Sequence, residues 1–385
     1  MAGIAALAQN VGVGLMFGSF GVLLAPVEKA MEVGRDVSVL GMPLVMIGMS
    51  LLGPVVGGLS TRFTIRSLMI LGALLTAAGY LALSFATTIA LNLAAYALLI
   101  GPGFVFLSVV LPSALTARWF VAGRGRALGI VNMPIFVMLT PLVVTALLAH
   151  GGLALAYRAM ALVALALVPI LWFIVEHPPT ASEAEPGDAP AQPDHGLSTA
   201  ALATSATYWK MTIAAAAIAT GGTIISTHIV PLAMGWGVAS GQAALLVTIM
   251  AGAGMAGSLA FGWLADRVGG GRALMINCVS QILLWGLLLL QPGYALLAIL
   301  IALIGVCGAG LVAAFGTALA EHFGPASFGR AYGFSNLVNL PFIAGGAPLA
   351  GLIFVRTGSY AAALMGQMGF FLFAALLVAS VRRRA

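Results

Sequence analysis

Gly57-Gly58-Leu59-Ser60-Thr61-Arg62 returns 205 residues later as Gly262-Trp263-Leu264-Ala265-Asp266-Arg267. Just beyond it, Arg66-Ser67-Leu68-Met69-Ile70 returns as Arg272-Ala273-Leu274-Met275-Ile276 at an offset of 206. Gly125-Arg126-Ala127-Leu128-Gly129 returns as Gly329-Arg330-Ala331-Tyr332-Gly333, and Ile100-Gly101 as Ile304-Gly305, both at 204. One such match is chance; four in one order at nearly one spacing mark a duplication.

The stretches around these repeats are apolar. Of 385 residues 62% are hydrophobic and 7% charged, against about a quarter charged in an ordinary soluble domain. A soluble fold of this length needs more polar surface, so lipid must be the solvent for most of the chain. The 49 glycines and 18 prolines fit that environment, where glycine lets backbones approach and proline opens kinks. A hydrocarbon core about 30 Å thick needs about 20 apolar residues per helix. Cutting at charged, Pro and Gly clusters gives spans near 3–30, 37–62, 67–87, 90–119, 124–149 and 153–175. A second set falls near 206–234, 240–265, 272–290, 293–321, 329–354 and 358–381. The expected fold is an all-α membrane protein of twelve transmembrane helices in two pseudo-symmetric six-helix bundles, 1–175 and 206–385.

Between them lies a linker, 176–205, with Glu183, Glu185, Asp188 and Asp194 among five prolines. It cannot bury enough apolar surface to fold and reads as a cytoplasmic tether. Twelve of the sixteen Lys and Arg fall in loops 2–3, 4–5, 6–7, 8–9 and 10–11 and at the C-terminus. Both termini are therefore expected on the cytoplasmic side of a bacterial-type inner membrane. The net charge of +6 is spread over these loops and forms no basic face for nucleic acid. No Gly-x-x-x-x-Gly-Lys motif is present, so this chain is not expected to hydrolyse ATP. Cys278 and Cys307 lie inside spans and read as packing residues; no cofactor or metal site is implied. The chain turns apolar at once without a basic leader region, so the first span reads as a retained helix.

Two parallel halves suit a protein that exposes one midplane site to each side in turn. Loops on one side then need contacts that form in one state and break in the other, and Arg and Asp at helix ends can supply them. On the residues quoted above, the whole chain resembles the major facilitator superfamily. That family's loop signature, Gly-x-Leu-x-Asp-Arg-x-Gly-Arg-Arg, is matched by Gly262, Leu264, Asp266, Arg267, Gly269 and Arg272. The first copy departs from it, with Thr61 where Asp is expected and Thr64 where Gly is expected. The resemblance implies a transporter, not an enzyme, whose signature Asp locks the cytoplasmic side. It implies gating roles for Gly57, Arg62, Arg124, Arg126, Gly262, Asp266, Arg267, Arg272 and Arg330, with the lock weaker in the first half or carried by Asp266.

Ala117-Arg118-Trp119-Phe120, Arg124 to Gly129, Phe328 to Gly333, His228-Ile229-Val230-Pro231 and Thr357-Gly358-Ser359-Tyr360 carry a narrower resemblance. It points to the monocarboxylate and oxalate–formate branch and its bacterial relatives. The branch carries a lysine in helix 1 and an Asp–Arg pair in helix 8, where Phe20, Gly254 and Ser258 stand here. Neither helix 8 from Gly237 to Ala265 nor helix 11 from Ala331 to Val355 carries a charge. A monocarboxylate is therefore not assigned as the substrate.

All ten carboxylates fall in loops, the linker or helix ends, and none at mid-membrane. An ionisable group at that depth would be a functional hypothesis by default. His228 is the histidine well inside a span, read either as a structural group near the outer rim or as a substrate or proton site. Asn132 and Asn336 are repeat-equivalent, and Asn339 follows one turn on. Amides in lipid must face protein or water, so these are interhelical glue or substrate ligands. Phe20 and Phe342 are cavity-lining or packing residues. The expected protein is a monomeric carrier of a small organic solute, neutral, amphipathic or weakly acidic. It runs as a uniporter or a proton symporter, with efflux of hydrophobic compounds as the alternative.

Overall fold

A computed structural model describes residues 1–176 and 196–381. Most of the expected linker and Arg382, Arg383 and Arg384 lie outside the described residues. Among the described residues, ten helical stretches are long and apolar enough to cross a membrane. Two of them are each divided by a break, which makes twelve spans. They are α1 (Ala2–Met31), α2 (Gly41–Leu59), α3 (Ile65–Leu83), α4 (Ile89–Trp119), α5 and α6 (124–150 and 153–171), and α7 (Ala206–Gly235). The rest are α8 (Ser240–Val268), α9 (Gly270–Leu288), α10 and α11 (294–323 and 325–357), and α12 (Ala361–Ala379). The breaks are glycines in backbone that L-residues avoid: Gly152 at φ 66° and Gly324 at φ 76°. The chain is thus a multi-pass, all-helical membrane protein. The loop expected at 322–328 is smaller than its composition suggests, because Gly324 alone turns the chain.

The helices form two compact units. Unit 1 holds Met1–Val121, Val131–Leu197 and Pro325–Leu337; unit 2 holds Ala122–Ile130, Ser198–Gly324 and Val338–Ala385. Each unit is mostly one half of the repeat and includes the first turns of α5 or α11 from the other half.

In unit 1, Tyr80 of α3 is buried and donates its hydroxyl to the Leu15 carbonyl at 2.8 Å. Leu15 lies in a π-helical turn, Gly14–Gly18, and its carbonyl also accepts from Ser19 Oγ. Wide turns of this kind shift the backbone bonding register and expose such acceptors. In unit 2 the place of Tyr80 is taken by Trp285, which donates to Gln281 at 3.1 Å and meets Phe371 edge-on at 5.6 Å.

The halves start their third helices differently. Thr64, where the repeat pattern leads one to expect glycine, sits in extended backbone and caps α3 by accepting from the Ser67 N–H at 3.2 Å. In the second half Gly269 turns at φ 89°, and Glu321 caps α9 by accepting from the Gly270 N–H at 2.9 Å. The fifth helices also differ. α5 is interrupted between Val131 and Ile135, and buried Asn10 of α1 accepts from the freed Phe136 N–H at 3.1 Å. α11 runs through the matching residues unbroken. An open turn advances the chain further per residue than a helix does. Positions beyond the break accordingly correspond at an offset of 206 rather than 204.

Candidate functional site

In unit 2, the first turns of α5 lie directly on α8. A Cβ added at Gly125 would fall on the Gly262 carbonyl oxygen, and one at Gly129 on the Ser258 carbonyl. The contact is reciprocal, since a Cβ at Gly262 would fall on the Gly125 carbonyl. Unit 1 repeats the arrangement with α2 and the start of α11. Gly57 faces the Gly329 carbonyl, and Gly53 and Gly333 face each other's carbonyls. Both are small-xxx-small seams, in which two residues four apart on each helix bring backbones into contact.

At the unit 2 seam a carboxylate is added. Asp266 Oδ1 accepts from the Gly125 N–H at 2.5 Å, and Oδ2 accepts from the Arg126 N–H at 3.0 Å and Arg126 Nε at 3.1 Å. The Arg126 side chain is 63% exposed, so the ion pair itself contributes little. The two backbone donors at the helix start hold Asp266, where the dipole also favours a negative charge. Arg124, 9% exposed, adds a positive charge whose electrostatic neighbours are Glu321 and Asp266. Arg267 turns away to stack over Trp263, 4.0 Å from the ring centre. Arg272 lines a cavity of about 300 Å³ with Glu321 and His322.

The unit 1 seam carries no such carboxylate. Thr61 occupies the Asp266 position and receives Arg330 Nη2 at 3.0 Å, while Arg330 Nη1 donates to the Leu197 carbonyl. The Leu197 N–H in turn donates to Ser327 Oγ at 2.8 Å. Nearby, Arg118 pairs with Glu176 at 3.0 Å and donates to the Ser60 carbonyl at 3.3 Å. Arg62 is exposed.

The polar candidates fall in different places. Asn132, at the α5 break, donates to Ser113 Oγ of α4 at 3.1 Å. Asn336 lies beside Gly53 in unit 1. Asn339, in unit 2, is 6% exposed, and its Oδ1 has no hydrogen-bond partner among the described residues. His228 Nε2 lies 2.9 Å from the Ala347 carbonyl and Nδ1 lies 3.1 Å from Tyr360 Oη. A carbonyl only accepts, so Nε2 carries a proton, and in the neutral ring Nδ1 accepts from the Tyr360 hydroxyl. Phe20 is buried edge-on to Tyr96 at 5.7 Å, whereas Phe342 is 38% exposed and stacks on Phe370 at 5.5 Å. Among the described residues no group of three or more His, Cys, Asp or Glu is placed to hold a metal.

The repeated motifs contain Gly57, Gly125, Gly129, Gly262, Gly329 and Gly333 but single out only Gly57 and Gly262 as gating candidates, and Gly53 and Ser258 go unmarked as seam partners. The signal was present: glycine or serine four residues apart at repeat-equivalent positions. Asn10, Glu321 and Ser327 act as caps or struts, and no spacing rule would have singled them out.

Residues 6–339 match the family model of the Major Facilitator Superfamily. A stretch of 175 residues is 28% identical to the uncharacterized MFS-type transporter YcxA of Bacillus subtilis (strain 168). That match covers 44% of this chain and 43% of the relative's length. Among solved structures, the E. coli fucose:proton symporter FucP aligns over 98% of both chains with a TM-score of 0.75 and 13% identity. The human organic anion transporter MFSD10 (TETRAN) aligns over 98% of both with a TM-score of 0.74 and 16% identity. At these identities the likeness to both structures is one of fold.

Proposed function

We propose that this chain, which belongs to the Major Facilitator Superfamily, is a secondary carrier of a small organic solute. Residues 1–175 and 206–385 rock against each other as two six-helix bundles, so that one site faces each side of the inner membrane in turn. The observation that carries this reading is the twinned pair of seams, joining α5 to α8 and α2 to α11. Backbones that touch through small residues, without interlocked side chains, can part and meet again. Asp266 adds a latch made of hydrogen bonds to a helix N-terminus, which breaks cleanly because water can replace every partner. The basic loops at these helix ends support a cytoplasmic placement, with both termini on that side.

The solute is neutral, amphipathic or a weak acid bound without a fixed cation. Phe20, Gly254 and Ser258 stand where the monocarboxylate branch has its charged residues, so the branch resemblance does not bring that substrate with it. Asn132, its repeat-equivalent Asn336, and Asn339, whose oxygen has no hydrogen-bond partner among the described residues, are the hydrogen-bonding groups we assign to it. Uniport fits a site without carboxylates, and the protein acts as a monomer.

His228 has both ring nitrogens engaged, so we assign it as a strut joining α7 to α11 and to the loop before α12, not as the proton site. His228→Asn is expected to keep uptake within about twofold at pH 6 and at pH 8. It should lower the melting temperature through lost hydrogen bonds of about 1 kcal/mol each. A collapsed pH dependence at unchanged stability would instead make His228 the coupling group.

A thermal-shift screen of purified protein against neutral, anionic and lipophilic cationic solutes, followed by uptake of the hits into proteoliposomes, tests the reading. Neutral or lipophilic ligands are expected to stabilise. Stabilisation by carboxylates alone would restore the monocarboxylate reading.

A further inference from the structure

Each half of the chain has a groove beside its first, fifth and sixth helices. In unit 1 it measures about 270 Å³ and is lined by Leu15, Phe136, Val144, Leu147 and Met160 among others. In unit 2 it measures about 370 Å³ and lies between α7, α11 and α12. The two are the same place in the repeat. Phe136, Val144 and Leu147 correspond to Phe342, Ala350 and Ile353, each 206 residues on, and Met160 and Val163 to Gln367 and Phe370, 207 on. Both grooves carry a threonine, Thr140 in the first and Thr220 in the second, and the second differs in how its polar and aromatic groups are held.

Two polar groups mark the second groove. Thr220 of α7 is 5% exposed and lines the groove, yet its Oγ1 has no hydrogen-bond partner among the described residues. A threonine inside a helix usually returns its hydroxyl to the carbonyl one turn back, as Thr223 does to Ala219 at 3.0 Å. A buried hydroxyl left over in apolar surroundings has a donor to offer. Gln367 replaces Met160, is 5% exposed and donates to the Ala217 carbonyl at 2.8 Å. The wall opposite is aromatic, with Phe342 stacked on Phe370 at 5.5 Å. Space is left open as well, since a Cβ at Gly345 or Gly366 would meet nothing within 4 Å. An apolar cavity of this volume with one or two directed polar groups is the usual form of a small-molecule site.

We propose that the groove between α7, α11 and α12 binds a small neutral lipophilic molecule carrying one hydrogen-bond acceptor, of the ketone type. Its oxygen accepts from Thr220 Oγ1, which turns about χ1 to reach the groove, and its body lies against Phe342 and Phe370. No charged side chain lines the groove, so an ion would lose its hydration there without compensation. The assignment goes beyond the carrier reading, and its test reads binding, so either can fail while the other stands.

Benzophenone and diphenylmethane differ by the carbonyl alone, and benzophenone cross-links to nearby C–H bonds on illumination. The purified protein in detergent is expected to bind benzophenone and to be labelled on peptides of α7, α11 or α12. Thr220→Val should weaken benzophenone binding about three- to tenfold and leave diphenylmethane unchanged. Gly366→Leu, or Gly345→Leu should that variant fold poorly, is expected to block both probes, while Ala159→Leu in the unit 1 groove should block neither. Labelling confined to α1, α5 and α6 would overturn the proposal. So would equal losses for both probes in Thr220→Val, or a retained phospholipid that benzophenone cannot displace and that Gly366→Leu expels.

Discussion

Gly57→Val is expected to abolish transport while leaving ligand binding within a few-fold of the unsubstituted protein. A Cβ at Gly57 would fall on the Gly329 carbonyl oxygen and within 2.9 Å of the Arg330 Cα. Both obstacles are backbone, so no side-chain rotamer relieves them, and α2 and the start of α11 must move apart. Overpacking of this kind costs about 1–3 kcal/mol or more. If the seam forms and parts in every cycle, that cost falls on the closed state alone. Gly58 supplies the control one residue away, since a Cβ there meets nothing within 4 Å. Gly58→Val should therefore transport at close to the normal rate. Uptake into proteoliposomes, normalised to folded protein, compares the two. Equal rates would mean that the seam takes no part in the cycle.

Asp266→Asn should lower turnover by about ten- to a hundredfold with the ligand Kd changed only a few-fold. Asparagine keeps one acceptor oxygen and nearly the same shape but cannot accept the three hydrogen bonds now made to Gly125 and Arg126. It also removes the negative charge from the start of α5 and from beside Arg124. A hydrogen bond to a charged group contributes about 1.5–3 kcal/mol, a shift of roughly ten- to a hundredfold in the equilibrium that the latch governs. The exposed Arg126 guanidinium is the lesser partner, so Arg126→Gln should cost far less than Asp266→Asn. Single-turnover exchange alongside equilibrium binding separates the two quantities. A proportional rise in Kd would place Asp266 in ligand binding instead.

The twelve spans were legible because lipid demands long apolar helices and the chain punctuates them with charge and glycine. Resolution was lost where one residue does the work of a loop: nothing in the composition of 322–328 says that Gly324 alone turns the chain. The break in α5 was also hidden. Asn132-Met133-Pro134 and Asn339-Leu340-Pro341 read alike, yet only the first stands in a broken helix, where Asn10 on another helix receives the freed Phe136 N–H. Among the candidate site residues, Asp266 stands out through the family's loop signature and Arg126 through the repeated Gly-Arg-Ala run, while their pairing with each other carries no sequence signal. The choice between packing and lining was not readable. Phe20 lies buried against Tyr96 while Phe342 is open to a groove, and the two look the same in sequence. Thr220 carried no sequence signal, since only the groove around it shows that its hydroxyl is unused.

Alternating access by this chain requires that a solute on one side of the membrane exchange for the same solute on the other. Counterflow tests it most directly: proteoliposomes loaded with an excess of an unlabelled ligand from the thermal-shift screen are diluted into a trace of the labelled one. A transient accumulation of label inside is expected, abolished in Gly57→Val and retained in Gly58→Val. A ligand that binds the purified protein yet enters no faster than it enters protein-free liposomes would contradict it.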